Sequence, residues 1–295
     1  AAHENYLRAY NWYRLARYPA PNSPGKRQAY ARYKANYLSA ARYFDPPLEE
    51  VAMPFSGRPG EGEAVVGYLR KPPLPGPLPV VVSWGGIDGF KEDRRAEPFL
   101  ARKLAVLMID QPGTGEAPIP GSEDAERMWD GVFDWIGSHS GLDAARVGIL
   151  GASTGGYWAA KLAHTHRDRI RAAVNHGGCT HYAFQAEWIE QAQQGEYPLE
   201  LAETLATAFG RSTFEEWVEY APRLSLLDQG VLDQPCAPLL CVNGLHDTVF
   251  PIQDQYLLLE HGMPKSARFF DAGHMGDPPH TINTIAEWLA AQLGR

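Results

Sequence analysis

The chain has 295 residues, 44% of them hydrophobic and 21% charged, enough to bury one large core that carries an insertion or a small appendage. A formal net charge of −8 with no basic run excludes the nucleic-acid-binding classes, and no uninterrupted apolar stretch approaches the length of a membrane span. Three cysteines (Cys179, Cys236 and Cys241) are an odd number without metal-type spacing, which argues against a disulfide framework or a zinc site and fits a cytoplasmic protein.

Residues 1–46 stand apart from the rest of the chain. Tyr6, Tyr10 and Tyr13 fall on one helical face, Pro19, Pro21 and Pro24 break the chain, and Tyr30, Tyr33 and Tyr37 repeat the spacing before Asp45-Pro-Pro stops it. The pattern predicts a helical hairpin whose tyrosines pack it onto the main domain; the alternative is that they line a substrate pocket or a homodimer contact. From Val51 short strands take over. Residues 51–55 and 64–69 read as a hairpin around a Gly/Pro turn, an antiparallel edge. After the proline-rich loop Lys71–Pro79, β and α segments alternate. Strands are expected at 80–84, 104–109, 146–150, 170–175, 239–242 and 267–270. Helices are expected at 94–103, 122–138, near 253–260, and at 281–293.

This alternation predicts an α/β protein with a mostly parallel central sheet and helices on both faces. Residues 179–235 interrupt it with helical patterns at 183–194, 199–209 and 214–220, rich in Trp188, Tyr197, Phe209, Phe214, Trp217 and Tyr220. An insertion there, between two sheet strands, sits above the strand ends as a helical cap. The expected division is an N-terminal helical segment 1–46, a core of 47–178 and 236–295, and a cap of 179–235.

The chemistry centres on the strand 146–150 and the turn and helix after it. Val147–Leu150 reads as a buried strand, Gly151-Ala-Ser153-Thr-Gly155 as a sharp turn, and Tyr157–Ala163 as a helix. A serine at such a turn is strained, with its hydroxyl held clear of the sheet, and the glycines two before and two after avoid collision with neighbouring backbone. Serine is a poor nucleophile at neutral pH, so Ser153 needs a base and the base an orienting carboxylate. Asp247 lies just past the strand 239–242 and His274 just past the strand 267–270, where functional groups collect in parallel sheets. The order Ser153, Asp247, His274 is the one expected on this kind of sheet.

Other histidines compete less well: His246 adjoins Asp247 but points differently, and His280 lies in the run-up to the last helix. An oxyanion needs two donors. The backbone N–H of Thr154 is one, and the loop Gly85-Gly86-Ile87-Asp88-Gly89 offers the other, from Ile87 with Gly86 next. His176 and His181, with Trp188 and Trp217 of the cap, are expected to line the substrate pocket. Asp110-Gln-Pro-Gly-Thr-Gly-Glu116 lacks the Lys-Ser/Thr of a phosphate-binding loop and reads as a structural loop near the entrance.

Taken together, Asp45-Pro-Pro, Trp84-Gly-Gly-Ile-Asp-Gly-Phe-Lys-Glu92, Asp110–Glu116, Gly151–Gly156, His176-Gly-Gly178, Gly244-Leu-His-Asp247 and Gly273-His274 resemble the α/β-hydrolase superfamily. Within it, the chain is similar to the group containing the fermentation-respiration switch protein, 2,6-dihydropseudooxynicotine hydrolase and the fungal polyketide-shortening hydrolases. The resemblance implies a serine hydrolase whose helical pieces shape a pocket. Some members cleave esters and others a carbon–carbon bond beside a ketone. An esterase and a β-diketone hydrolase are therefore the two enzymatic expectations. A non-catalytic regulator that keeps the fold is the third, and it has no need of an intact Ser153, Asp247 and His274. The expected partner is a small-molecule substrate, with no metal and no organic cofactor.

Overall fold

The computed structural model describes residues 1–278 and 280–294. Two helices come first, α1 (Ala2–Ala16) and α2 (Pro24–Ala41). Ser23 starts α2 by accepting the Lys26 amide, and Pro24, which needs no hydrogen-bond acceptor, fills the first turn. The strands are β1 (Leu48–Pro54), β2 (Ala64–Arg70), β3 (Leu78–Trp84), β4 (Ala105–Ile109), β5 (Leu142–Ala152), β6 (Ala172–His176), β7 (Leu239–Gly244) and β8 (Lys265–Phe270). They form one eight-stranded sheet in the order β1-β2-β4-β3-β5-β6-β7-β8. β2 is antiparallel to both β1 and β4, and every other pairing is parallel, as the alternating pattern requires.

The remaining helices are α3 (Glu97–Leu100), α4 (Met128–Ser138), α5 (Thr154–Thr165), α6 (Ala186–Ala192), α7 (Leu201–Ala208), α8 (Phe214–Tyr220), α9 (Ile252–Glu260) and α10 (His280–Leu293). Helices α6 to α8 occupy the long connection between β6 and β7. Central strands are buried on both faces, which is why β3 and β4 read as continuous apolar runs. Val80, Val82, Ile149 and Ala173 face α4, α5 and the inserted helices; Val81, Leu150, Val174 and Val242 face Phe99 of α3 and Ile285 and Leu289 of α10. On the first face Trp84, Trp129 and Trp158 are fully buried and pack with ring centroids 4.8 and 5.8 Å apart. Each such ring contributes on the order of 1.5–3 kcal/mol by leaving water. The Trp84 indole N–H also donates to the Gly155 carbonyl at 2.8 Å, locking β3 to the start of α5.

Several boundaries differ from expectation. The helix expected over 94–103 shrinks to a 3-10 turn at Lys91–Asp93 and the single turn of α3. Pro98 can sit only in a first helical turn, so α3 cannot extend toward Arg94, and Lys103 at φ 64° closes the segment. Similarly, α4 begins at Met128 rather than near Ser122, after a 3-10 turn at Ala125–Arg127. The inserted helices are shorter than their patterns, with Gly195, Pro198 and left-handed Glu200 (φ 54°) separating α6 from α7. The tyrosine stripes do pack inward in part. Tyr10 stacks on Tyr33 at 4.8 Å and Tyr37 on Tyr68 of β2 at 5.6 Å.

Candidate active site

β5 ends in a turn that only particular residues can make. Ser153 stands at φ 55° and ψ −130°, a backbone conformation that costs a non-glycine residue about 1–3 kcal/mol. Its N–H donates to the His176 carbonyl at 2.8 Å and its carbonyl accepts from Gly156 at 2.7 Å, so β6 and α5 hold it there. A Cβ at Gly151 or Gly155 would overlap the Gly155 or Gly85 carbonyl, which explains both glycines of the turn.

The β7 and β8 ends bring two more side chains to this serine. His274 Nε2 lies 2.9 Å from Ser153 Oγ, and His274 Nδ1 lies 2.7 Å from Asp247 Oδ2. A carboxylate oxygen only accepts, so Nδ1 carries the proton and Nε2 presents its lone pair to the serine hydroxyl. Asp247 has a fully buried side chain. Its Oδ1 accepts the amides of Val249 (2.8 Å) and Phe250 (2.9 Å), and its Oδ2 also accepts Asn243 Nδ2 at 2.8 Å. The Phe250 ring meets the His274 ring edge-on at 5.6 Å. Ser153, Asp247 and His274 therefore form one hydrogen-bonded line.

The loop after β3 lies directly against Ser153: a Cβ on Gly86 would stand 2.7 Å from Ser153 Cβ and 3.0 Å from its Oγ. Among the described residues, the amides of Thr154 and Ile87 donate to no backbone acceptor. Thr154 also begins α5, a 12-residue helix whose positive end points at the same place. The Ile87 side chain is buried and borders a cavity of about 140 Å³ with Pro21, Phe90, Thr114, Thr204 and Ala208. The N-terminal segment, the loop after β3, the 110–116 loop and α7 all contribute to its wall.

Four residues expected in the pocket have other partners. His176 lies on the α3–α10 face of the sheet, where its Nε2 bonds the Met275 carbonyl at 2.8 Å, and burial pushes its imidazole down to about 4. It supports the His274 loop from behind. His181 bonds Ser225 Oγ at 2.7 Å within the inserted segment. The Trp188 indole N–H donates to the Val249 carbonyl at 3.0 Å, and Trp217 is fully buried against Phe209 at 5.4 Å. Trp217 thus fills the core of the insertion, while half-buried Trp188 reaches across to the loop after β7. Among the competitors, His246 pairs with exposed Asp271 and His280 with Asp277. Asp254 is buried and accepts the amides of Thr180, His181, Tyr182 and Ala183; burial raises its carboxyl, which those four donors oppose. Among the described residues, no group of three or more His, Cys, Asp or Glu side chains could hold a metal ion.

Two residues at the site have no place in the sequence motifs. Asn243 bridges Asp247 Oδ2 and the Met275 amide, and its signal is a polar residue closing an otherwise apolar strand. Glu196, in the loop after α6, accepts the His274 and Thr248 amides, and nothing local marks it.

Comparison with known proteins gives this geometry a context. Residues 1–293 match the family described as esterase FrsA-like. Esterase FrsA of Enterobacter sp. (strain 638) is 26% identical over 307 aligned residues, covering 98% of this chain and 70% of the relative. The 2,6-dihydropseudooxynicotine hydrolase of Paenarthrobacter nicotinovorans is 29% identical over 230 residues, covering 76% of this chain and 58% of that protein. The crystal structure of 2,6-dihydroxy-pseudo-oxynicotine hydrolase superposes with a TM-score of 0.81 at 25% identity, over 99% of this chain and 80% of that one. AbyA5 superposes with a TM-score of 0.84 at 22% identity, over 99% and 84%, a likeness of fold.

Proposed function

The chain belongs to the FrsA-like esterase family, and from that premise we propose that it is a serine hydrolase acting through an acyl-enzyme on esters of bulky, apolar or aromatic acyl compounds. The observation that carries this reading is the line Ser153 Oγ–His274 Nε2–His274 Nδ1–Asp247 Oδ2, with contacts of 2.9 and 2.7 Å, at the C-terminal ends of β5, β7 and β8. Ser153 Oγ attacks the ester carbonyl while His274 Nε2 takes its proton. Asp247 stabilises the imidazolium so formed. The amides of Thr154 and Ile87 receive the oxyanion, and Gly86 lets that loop approach. His274 then gives the proton to the leaving alcohol. In the second half, water attacks the acyl-enzyme with His274 as base, and Ser153 recovers its proton.

A second reading is cleavage of a carbon–carbon bond beside a ketone. The steps are the same except that the leaving group is an enolate, which His274 must protonate at carbon. Such a substrate needs a donor for its second carbonyl. Since His176 and His181 are engaged elsewhere, the candidate is Tyr197, whose buried hydroxyl lies beside Tyr18 and beside Asp88 of the loop after β3. The 2,6-dihydropseudooxynicotine hydrolase relative favours keeping this reading, while the esterase description of the whole family favours the first.

Turnover of an aryl ester and of the matching aryl β-diketone, by wild type and Ser153→Ala, tests both. The expected result is ester cleavage that drops by about 10⁴-fold or more in the variant. Ester cleavage that survives in Ser153→Ala overturns the nucleophile. Serine-dependent turnover that is faster on the diketone selects the second reading.

A further inference from the structure

We propose that Glu196 is a positioning residue through which the inserted helical segment holds His274 in line with Ser153. Glu196 Oε1 accepts the backbone N–H of His274 at 3.0 Å, the backbone N–H of Thr248 at 3.0 Å and the Thr248 hydroxyl at 3.2 Å. In return the Glu196 amide donates to Thr248 Oγ1 at 2.8 Å. One carboxylate oxygen thus joins the residue after Asp247 to the base itself, two loops that leave different strands. Charge-assisted bonds are stronger than neutral ones, by a smaller margin where the carboxylate is open to solvent, as Glu196 is.

The surrounding sequence makes room for this contact. A Cβ on Gly273 would overlap the Glu196 carboxylate, and one on Gly195 would stand 2.8 Å from Thr248 Oγ1. Trp188, on α6, adds a second tether to the same loop through the Val249 carbonyl at 3.0 Å. Glu196 makes no salt bridge within 4.0 Å among the described residues, so its partners are these amides and the hydroxyl rather than a cation. The opposite side of the loop is held by Asn243 on the Met275 amide and His176 on its carbonyl. Among the described residues, only Glu196 reaches the amide of His274 itself. Without it the imidazole keeps its chemistry but loses its register, and misplacement of a catalytic group by about 1 Å costs on the order of 10²-fold.

This inference rests on His274 acting as the base, and the test separates the two. Steady-state esterase kinetics are measured for wild type, Ser153→Ala, His274→Ala, Glu196→Ala, Glu196→Asp, Glu196→Gln and the double variant Glu196→Ala/His274→Ala, with thermal midpoints alongside. Glu196→Ala is expected to lower kcat about 10- to 100-fold with KM changed less than about twofold. Glu196→Asp keeps the charge and the fold, yet is one methylene too short to reach both amides, so it should fall nearly as far. Glu196→Gln retains an acceptor oxygen and should recover to within about fivefold of wild type. In the His274→Ala background, the Glu196 change should cost nothing more, because it acts through that residue. A kcat within twofold of wild type in Glu196→Asp, or an equal loss in the His274→Ala background, overturns the positioning role. Full activity of Ser153→Ala or His274→Ala instead overturns the hydrolase reading beneath it.

Discussion

Asp247 is the most heavily bonded side chain of the proposed triad, and its partners show how a single residue can govern both loops. Its carboxylate takes two backbone amides on Oδ1 and the Asn243 amide group on Oδ2, beside the 2.7 Å contact to His274. Asn243 is itself fully buried, and its own oxygen accepts the Met275 amide at 2.9 Å, fixing the residue after the base. Asn243→Ala removes both contacts and leaves a buried amide unsatisfied. It should destabilise the fold by about 1–3 kcal/mol in urea unfolding and lower kcat about tenfold or more. Asn243→Asp sets a second carboxylate against Asp247 and should be slower still; a kcat ordering with Asp above Ala would contradict this account. That Ser153, Asp247 and His274 would meet was legible from the sequence, because each follows an apolar strand of the parallel sheet. Glu196 was not, since it works by hydrogen bonds to residues 52 and 78 positions away, and Asn243 showed only as a polar residue near the end of an apolar strand. His176 and Trp217 show the converse: the residue types suit a pocket, but packing assigns them to the scaffold.

The N-terminal hairpin is an element docked around one buried cation. Arg17 is fully buried; its guanidinium lies 3.8 Å from the Phe90 ring centroid and 4.8 Å from that of Tyr33, and donates to Asp93 Oδ2 at 2.8 Å. Asp93 also accepts the Tyr10 hydroxyl at 2.7 Å, the Arg14 side chain at 2.9 Å and the Phe90 amide at 3.0 Å. The segment 90–93 directly continues the loop that carries Gly86 and Ile87, so the hairpin and the proposed oxyanion donors share a support. Arg17→Met keeps the stacking volume and removes the charge. Asp93 retains Arg14, so the cost should be about 2–3 kcal/mol, below that of stripping a buried pair completely. Hydrogen exchange should then quicken by about 30- to 160-fold across α1 and α2 while β3 to β6 stay protected. Exchange across α1 and α2 that is unchanged in the variant would show that the tyrosine stacks alone hold the hairpin. The aromatic spacing made this hairpin readable in advance. The 94–103 region forms only the single turn of α3, because Pro98 must sit in a first helical turn and Lys103 turns left-handed.

Across the whole molecule, a buried chain of charges links the hairpin, the sheet and the 110–116 loop. Lys91 is fully buried, with its ammonium 2.8 Å from Asp110, 2.7 Å from Glu116 and 3.4 Å from Glu92, and Lys34 of α2 reaches Glu116 at 2.6 Å. Burial alone would lower the Lys91 ammonium, but Asp110 and Glu92 outweigh it and raise it. Burial would likewise raise the Glu116 carboxyl, which Lys91 and Lys34 hold below its usual range. Glu92 is the exception. Burial pushes it up to about 7, with Asp110 adding to the push and Lys91 and the Tyr68 hydroxyl opposing it. A carboxyl whose folded value lies above its unfolded value keeps its proton after the unfolded chain has lost its own. The unfolded state then binds fewer protons, so this group's contribution to stability declines as pH rises from about 4.5 to about 7 and levels off above that. Glu92→Gln carries no such proton. Carboxyls with lowered values, such as Glu116, slope the other way, but they are common to both proteins and cancel in the comparison. Urea unfolding of wild type and Glu92→Gln at pH 5, 6, 7 and 8 should therefore show the variant gaining on wild type with each step to pH 7 and holding its lead at pH 8. A difference that is constant from pH 5 to 8 would mean that Glu92 is already ionised at pH 5 in the folded protein, stabilised by Lys91 more than burial disfavours it.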